Sequence, residues 1–175
     1  MQGKSLAFSL LAAMAVLALC AAPLASQEQC LQDAWDYLKA SKYEPAIKAA
    51  NSCIETFARA ATRKEEALQK QHALPPAEPP TEADKRRIFS QGIVNDVAAA
   101  YFVKGEAASK MAQNGSKSAA EKAVFTRMAT EAYEAASTYK HAWAWDPKGW
   151  FWSPSEAASD RLANLKQSGG PGHRQ

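Results

Sequence analysis

Leu31, Ala34, Trp35 and Leu38 fall at i, i+3, i+4 and i+7, which is one face of a helix. The pattern stops at Ala40-Ser41-Lys42 and resumes through Tyr43, Ala46, Ile47, Ala50, Ile54, Phe57, Ala58 and Ala61. Glu44-Pro45 suits the opening turn of this second helix, because the amide hydrogen that proline lacks is not needed there and the acid complements the dipole. Polar residues carry it towards Gln71. Residues 72–83 (HALPPAEPPTEA) hold four prolines, which forbid a continuous helix and predict an extended link. A third helix is expected from Asp84 to Met111. Its broad apolar face (Ile88, Phe89, Ile93, Val94, Val97, Ala98, Tyr101, Phe102, Ala108) belongs to an element packed on two sides. Gly92 and Gly105 weaken it intrinsically and suit the close approach of a neighbour. Asn114-Gly115-Ser116 ends it, as a turn or as an N-glycosylation acceptor.

A fourth helix is expected from Ser118 to Ala144, through Val124, Met128, Ala132, Ala135, Ala136, Tyr139, Ala142 and Trp143. Asp146-Pro147 stops it. Ser153-Pro154-Ser155-Glu156 reads as the start of a last helix, with Ser153 as its cap. Ala157, Leu162 and Leu165 form its stripe, and the Gly169-Gly170-Pro171-Gly172 run closes it. No strand is expected. Pattern alone therefore predicts an all-α chain of stacked antiparallel hairpins with a C-terminal capping helix.

Residues 1–26 read as a secretory signal. Lys4 is the sole charge before a run from Leu6 to Leu19 that is apolar except for Ser9, and small residues follow Pro23. Cleavage is expected between Ala22 and Ser26, leaving one domain over 27–167 and a flexible tail over 168–175. The alternatives are an uncleaved membrane tether and, more weakly, a lipid on Cys20. Export to a periplasmic or extracellular space follows, with no stable membrane insertion after cleavage.

Of three cysteines, Cys20 leaves with the signal. An even pair in an exported chain suggests a disulfide. Cys30 lies eleven residues before Ser41 and Cys53 eleven after Lys42, so an antiparallel hairpin brings them to one height. Closing that loop is worth roughly 3 kcal/mol.

With 175 residues, 47% apolar, the chain is long enough for a core and too apolar for wholesale disorder. Lys plus Arg number 21 against 18 acidic residues, too even a balance for a nucleic-acid partner held by bulk charge. The run Asp84-Lys85-Arg86-Arg87 reads as a solvated helix start.

Two stretches resemble tetratricopeptide repeats, of the kind found in exported bacterial proteins. Tyr37, Tyr43, Ala46, Ala50 and Cys53 stand at the aromatic, small and interior positions of one repeat, and Ala46-Ile47 echoes its "YxxAI" start. Tyr101 and Gly105, then Ala135, Tyr139, Ala142 and Pro147, match a second. Ala34 stands where that family usually has glycine. About eighteen extra residues separate the halves of the second repeat, beyond the usual length of about 34. The resemblance implies stacked helix pairs whose first helices carry a partner peptide. Carried over by position, the partner-binding residues are Trp35, Lys39, Phe102, Glu106 and Lys110. Trp35 and Glu106 occupy positions where an acidic-tail clamp needs Asn, so that specificity is not implied.

Four of the five tryptophans lie between Trp143 and Trp152. Two readings stand beside each other: rings that bury a helix junction, or an exposed shelf of Trp145, Trp150 and Trp152 for a glycan or peptide. A membrane-interface role is a third. His72, His141 and His173 are far apart and form no ligand pair, and no nucleophile elbow or phosphate loop is present, so no catalytic residue, metal or cofactor is expected. The sequence points to a non-catalytic adaptor for a protein or peptide partner, with envelope assembly as one setting. Glycan or cell-wall binding is the alternative, and an enzyme without a recognisable motif the third.

Overall fold

The computed structural model describes residues 27–73, 80–146 and 150–168. The segment read as a signal lies outside the described residues, as do 74–79, 147–149 and the tail from 169.

Helices α1 (Gln27–Lys39) and α2 (Tyr43–Lys70) form the first hairpin. Its turn explains where α1 stops. Ser41 sits at φ 56°. Its amide donates to the Leu38 carbonyl and the Lys42 amide to that of Tyr37, the paired bonds of a Schellman cap. The two legs then run antiparallel. Cys30 and Cys53 are joined as a disulfide with Cα atoms 5.6 Å apart, as the spacing about this turn predicts. Both are buried against Ala100. A second cap of the same kind ends α2, with His72 at φ 51° and the Ala73 amide donating to the Leu68 carbonyl.

The single helix expected from Asp84 to Met111 is two: α3 (Glu82–Gln91) and α4 (Ile93–Gln113), broken at Gly92. The break has an identifiable support. The Gly92 amide turns to the Phe89 carbonyl, and the Ile88 carbonyl accepts from the buried Asn95 Nδ2 at 2.7 Å instead. Asn95 thus repairs the helix that Gly92 interrupts. Thr81 and Asp84 form a capping box at the start of α3.

Helix α4 is the central element. Ala98, Ala99, Ala100, Ala107 and Ala108 are all buried, and such small side chains let helices approach closely. Cys30 packs at Ala100, and Ala34 clusters with Ala50 and Val103. So α1 runs parallel to α4, and α2 antiparallel. Helix α5 (Ala119–Ser137), opened by a Ser118–Glu121 capping box, lies antiparallel on the other side. Gly105 serves the close approach its type suggests: a Cβ there would fall 2.5 Å from Tyr133 Cε1.

Helix α5 ends at Ser137, short of the Ala144 expected from periodicity. The cause is tertiary. The buried Glu65 carboxylate of α2 accepts from the backbone amides of Lys140, at 3.0 Å, and His141. Those amides cannot also serve a helix. The chain then forms a two-stranded antiparallel ribbon, β1 (Ala144–Asp146) and β2 (Trp150–Trp152), where no strand was expected. Helix α6 (Pro154–Ser168) follows, with the Glu156 amide donating to the Ser153 hydroxyl as the cap predicts. It packs on α4 and α5, and the chain is predominantly helical.

Candidate functional site: an aromatic groove

The ribbon overhangs a groove of about 620 Å³ between α1, the α3–α4 junction and α4. Each wall has a sequence reason. Helix α1 presents Leu31, Gln32, Trp35 and Lys39, a stripe at helical spacing. Helix α4 presents Asp96, Ala99 and Phe102, again successive turns. The kink at Gly92 turns Phe89 onto the rim. In the ribbon, side chains alternate between faces. Ala144 pairs with Trp152, Trp145 with Phe151, and Asp146 with Trp150.

That alternation sorts the aromatic residues. Trp152 meets Trp35 edge-on at 6.1 Å and Phe102 at 5.1 Å between centroids. Trp145 and Phe151 contact Phe89 instead, at 6.5 and 5.5 Å. Edge-to-face contacts of this kind hold rings at a fixed angle. The ribbon base is anchored by Asn95, whose Oδ1 accepts from the Trp143 amide at 3.0 Å. One buried amide side chain therefore supports both the helix break and the ribbon.

The tryptophan cluster is divided rather than uniformly buried or exposed. Trp143 is 3% exposed and belongs to the junction; its indole N–H is buried and has no hydrogen-bond partner among the described residues. Trp152 is half-buried. Trp145 and Trp150 are 48% and 50% exposed, and Phe89 61%. Phe89 and Trp145 are in ring contact on one face of the ribbon, and Trp150 lies on the other.

The five residues carried over from the repeat resemblance separate into two places. Trp35, Lys39 and Phe102 line the groove, together with Trp145, Trp150 and Trp152. Glu106 and Lys110 line a smaller cleft of about 200 Å³ beneath α6. There Glu106 accepts from Tyr133 Oη and from Arg161 Nε, both at 2.7 Å. Helix α6 thus breaks the surface of α4 that the resemblance treats as continuous. Burial, and then the bond to Glu106, push the Tyr133 phenol well above the ordinary tyrosine range, so it stays a donor. The Arg161 guanidinium is held further towards its charged form by the bond to Glu106.

Sequence reasoning missed the residues that build the groove without resembling a site: Asn95, Phe89, Asp96, Asp146 and Phe151. A signal for the ribbon existed. Asp146-Pro147-Lys148-Gly149 is a turn-rich run between two aromatic stretches, which is a hairpin pattern. Among the described residues no three His, Cys, Asp or Glu side chains converge as a metal site, and no helix is long and apolar enough to cross a membrane. The chain matches no family model, no curated protein and no solved structure.

Proposed function

We propose that this chain is an exported, non-catalytic adaptor built from tetratricopeptide-like hairpins, and that its aromatic groove holds a segment of a protein or peptide partner. Envelope or secreted-protein assembly is the setting that suits it. The observation that carries the reading is the rim. Phe89 and Trp145 are exposed and in ring contact, Trp150 is exposed at the same groove, and Trp35 and Phe102 line it. Exposed aromatic residues gathered beside a cavity mark an interaction surface, whereas scattered ones do not.

Three features support the remaining parts. The parallel course of α1 and α4, each backed by an antiparallel partner, suits a repeat stack with α6 as its solvating cap. A disulfide between Cys30 and Cys53 suits an oxidising, exported setting. The signal-like residues 1–26 agree with it.

Affinity capture with the wild type and a Trp145→Ala/Trp150→Ala variant tests the reading. Protein partners retained by the first and lost by the second, with circular dichroism unchanged, support it. Equal retention by both overturns the groove. The half-exposed indoles of Trp145 and Trp150 favour a second reading, glycan binding by stacking. Capture of oligosaccharides alone, lost in the same variant, would select it.

A further inference from the structure

We infer that Asn114 is a site of spontaneous covalent modification, in which the amide nitrogen of Gly115 closes on its side chain and converts it to aspartate and isoaspartate. This site is independent of the groove. The chain has four asparagines. Asn51, Asn95 and Asn164 lie inside α2, α4 and α6, where the amide of the following residue is held in the helical ladder and is a poor nucleophile. Asn95 is buried besides, with both side-chain polar atoms engaged. Asn114 differs on each count. It caps α4 with extended dihedrals, φ −65° and ψ 121°, and is exposed together with Gly115 and Ser116. The Lys117 amide closes the turn on the Asn114 carbonyl at 3.2 Å. The Gly115 amide makes no hydrogen bond among the described residues.

The side chain is also prepared for addition. Its Oδ1 accepts from the Ser116 amide at 3.0 Å and from the Ser116 hydroxyl at 2.9 Å. Donors on a carbonyl oxygen draw charge from its carbon and favour the oxyanion that addition creates. Gly115 brings no side chain, and the space where a Cβ would stand is open, so its peptide has room to swing onto Asn114 Cγ. The step balances without a redox partner. The Gly115 nitrogen gives up its proton to solvent and bonds to Cγ. The Cγ–Nδ2 bond breaks, and the leaving nitrogen takes up a proton and departs as ammonia. Water then opens the cyclic imide. Cleavage between the Gly115 nitrogen and Cγ gives aspartate. Cleavage between that nitrogen and the main-chain carbon gives isoaspartate, whose backbone runs through the former side chain. Either product places a carboxylate at the carbonyl end of α4, where the helix dipole opposes it.

The test uses the full disulfide-bonded protein, incubated at physiological temperature in mildly alkaline buffer and followed by peptide-mapping mass spectrometry. The peptide carrying Asn114 should exchange ammonia for water with time and separate into aspartate and isoaspartate forms. The peptides carrying Asn51, Asn95 and Asn164 should stay intact. Each converted chain should gain a negative charge on isoelectric focusing. Gly115→Ala, which the open space accommodates, should lose most of the conversion with circular dichroism unchanged. The reduced, urea-unfolded chain is the reference. Persistence of Asn114 in the folded protein, over a period in which the unfolded chain converts, overturns the inference, because the turn then shields the site. Undiminished conversion in Gly115→Ala also overturns it, and so does a glycan found on Asn114 of the exported protein.

Discussion

His141 places Nδ1 2.8 Å from Oε1 of Glu65, 76 residues earlier in the chain, with both side chains buried. The other ring nitrogen, Nε2, lies 2.7 Å from the Ala73 carbonyl, which can only accept. The tautomer with a hydrogen on Nε2 serves that carbonyl. Glu65 also accepts from Gln69 Nε2 and from two backbone amides. This knot ties the end of α2 to the chain leading into the ribbon. Glu65→Ala or His141→Ala strands buried polar groups and should cost about 3–5 kcal/mol each. The double variant should cost less than the two together. Urea unfolding of the four proteins measures both quantities.

The disulfide stabilises more than a hairpin. Its closed segment, 23 residues in sequence separation, gives about 3 kcal/mol in the chain-entropy model. Helix α1 also forms one wall of the groove. Reduction, or Cys30→Ser/Cys53→Ser, should lower stability by that amount and raise access of Trp35 to an aqueous quencher. A variant whose melting point matches the wild type would contradict this role.

Backbone conformation predicts two changes of opposite sign. Ser41 holds a positive φ that glycine adopts freely, so Ser41→Gly should stabilise by about 1 kcal/mol. Gly105 has no room for a methyl against Tyr133. Gly105→Ala should destabilise by about 1–3 kcal/mol, despite the better helix propensity of alanine. Thermal denaturation distinguishes the two directions.

Glu121 gives a pH-dependent observation. Hydrogen bonds from the Ser118 amide and hydroxyl, then from Lys117, hold its carboxyl down at about 2, below the ordinary glutamate value of 4.5. A depressed folded value means that the stabilisation is present above the unfolded value. It fades as pH falls from about 4.5 towards 2. Carboxyl titration by NMR should place Glu121 near the lower figure. Ser118→Ala should return it towards the ordinary glutamate range and fray the start of α5.

The tryptophans should separate by role. Trp143→Ala removes a buried ring and should cost about 3–5 kcal/mol. Trp145→Ala and Trp150→Ala remove half-exposed rings, and each should change stability by under about 1 kcal/mol while abolishing partner capture. Comparable destabilisation by all three would identify the cluster as junction packing alone.

Much of the helical pattern was legible along the chain, because its causes are local. The stripe from Leu31 to Leu38, the cap at Ser153 and the cysteine spacing about Ser41 all depend on residues within one hairpin or turn. The failures share a different cause. Periodicity through Gly92 continued on both sides of the break, because both sides pack on the same core. Periodicity through Ala142 and Trp143 also continued, because these residues are buried outside a helix.

The sequence by itself determined an all-α character, the first hairpin and its sulfur link, since hydrophobic spacing and equal rise per residue need nothing from distant segments. Only the tertiary structure decided where α5 ends, that a ribbon forms, and that Trp35, Phe102 and Trp152 meet in one groove while Glu106 is taken up by Arg161. Those outcomes turn on single buried polar groups, Glu65 and Asn95, satisfying backbone atoms many residues away. Such bonds leave no periodic trace in the chain that makes them.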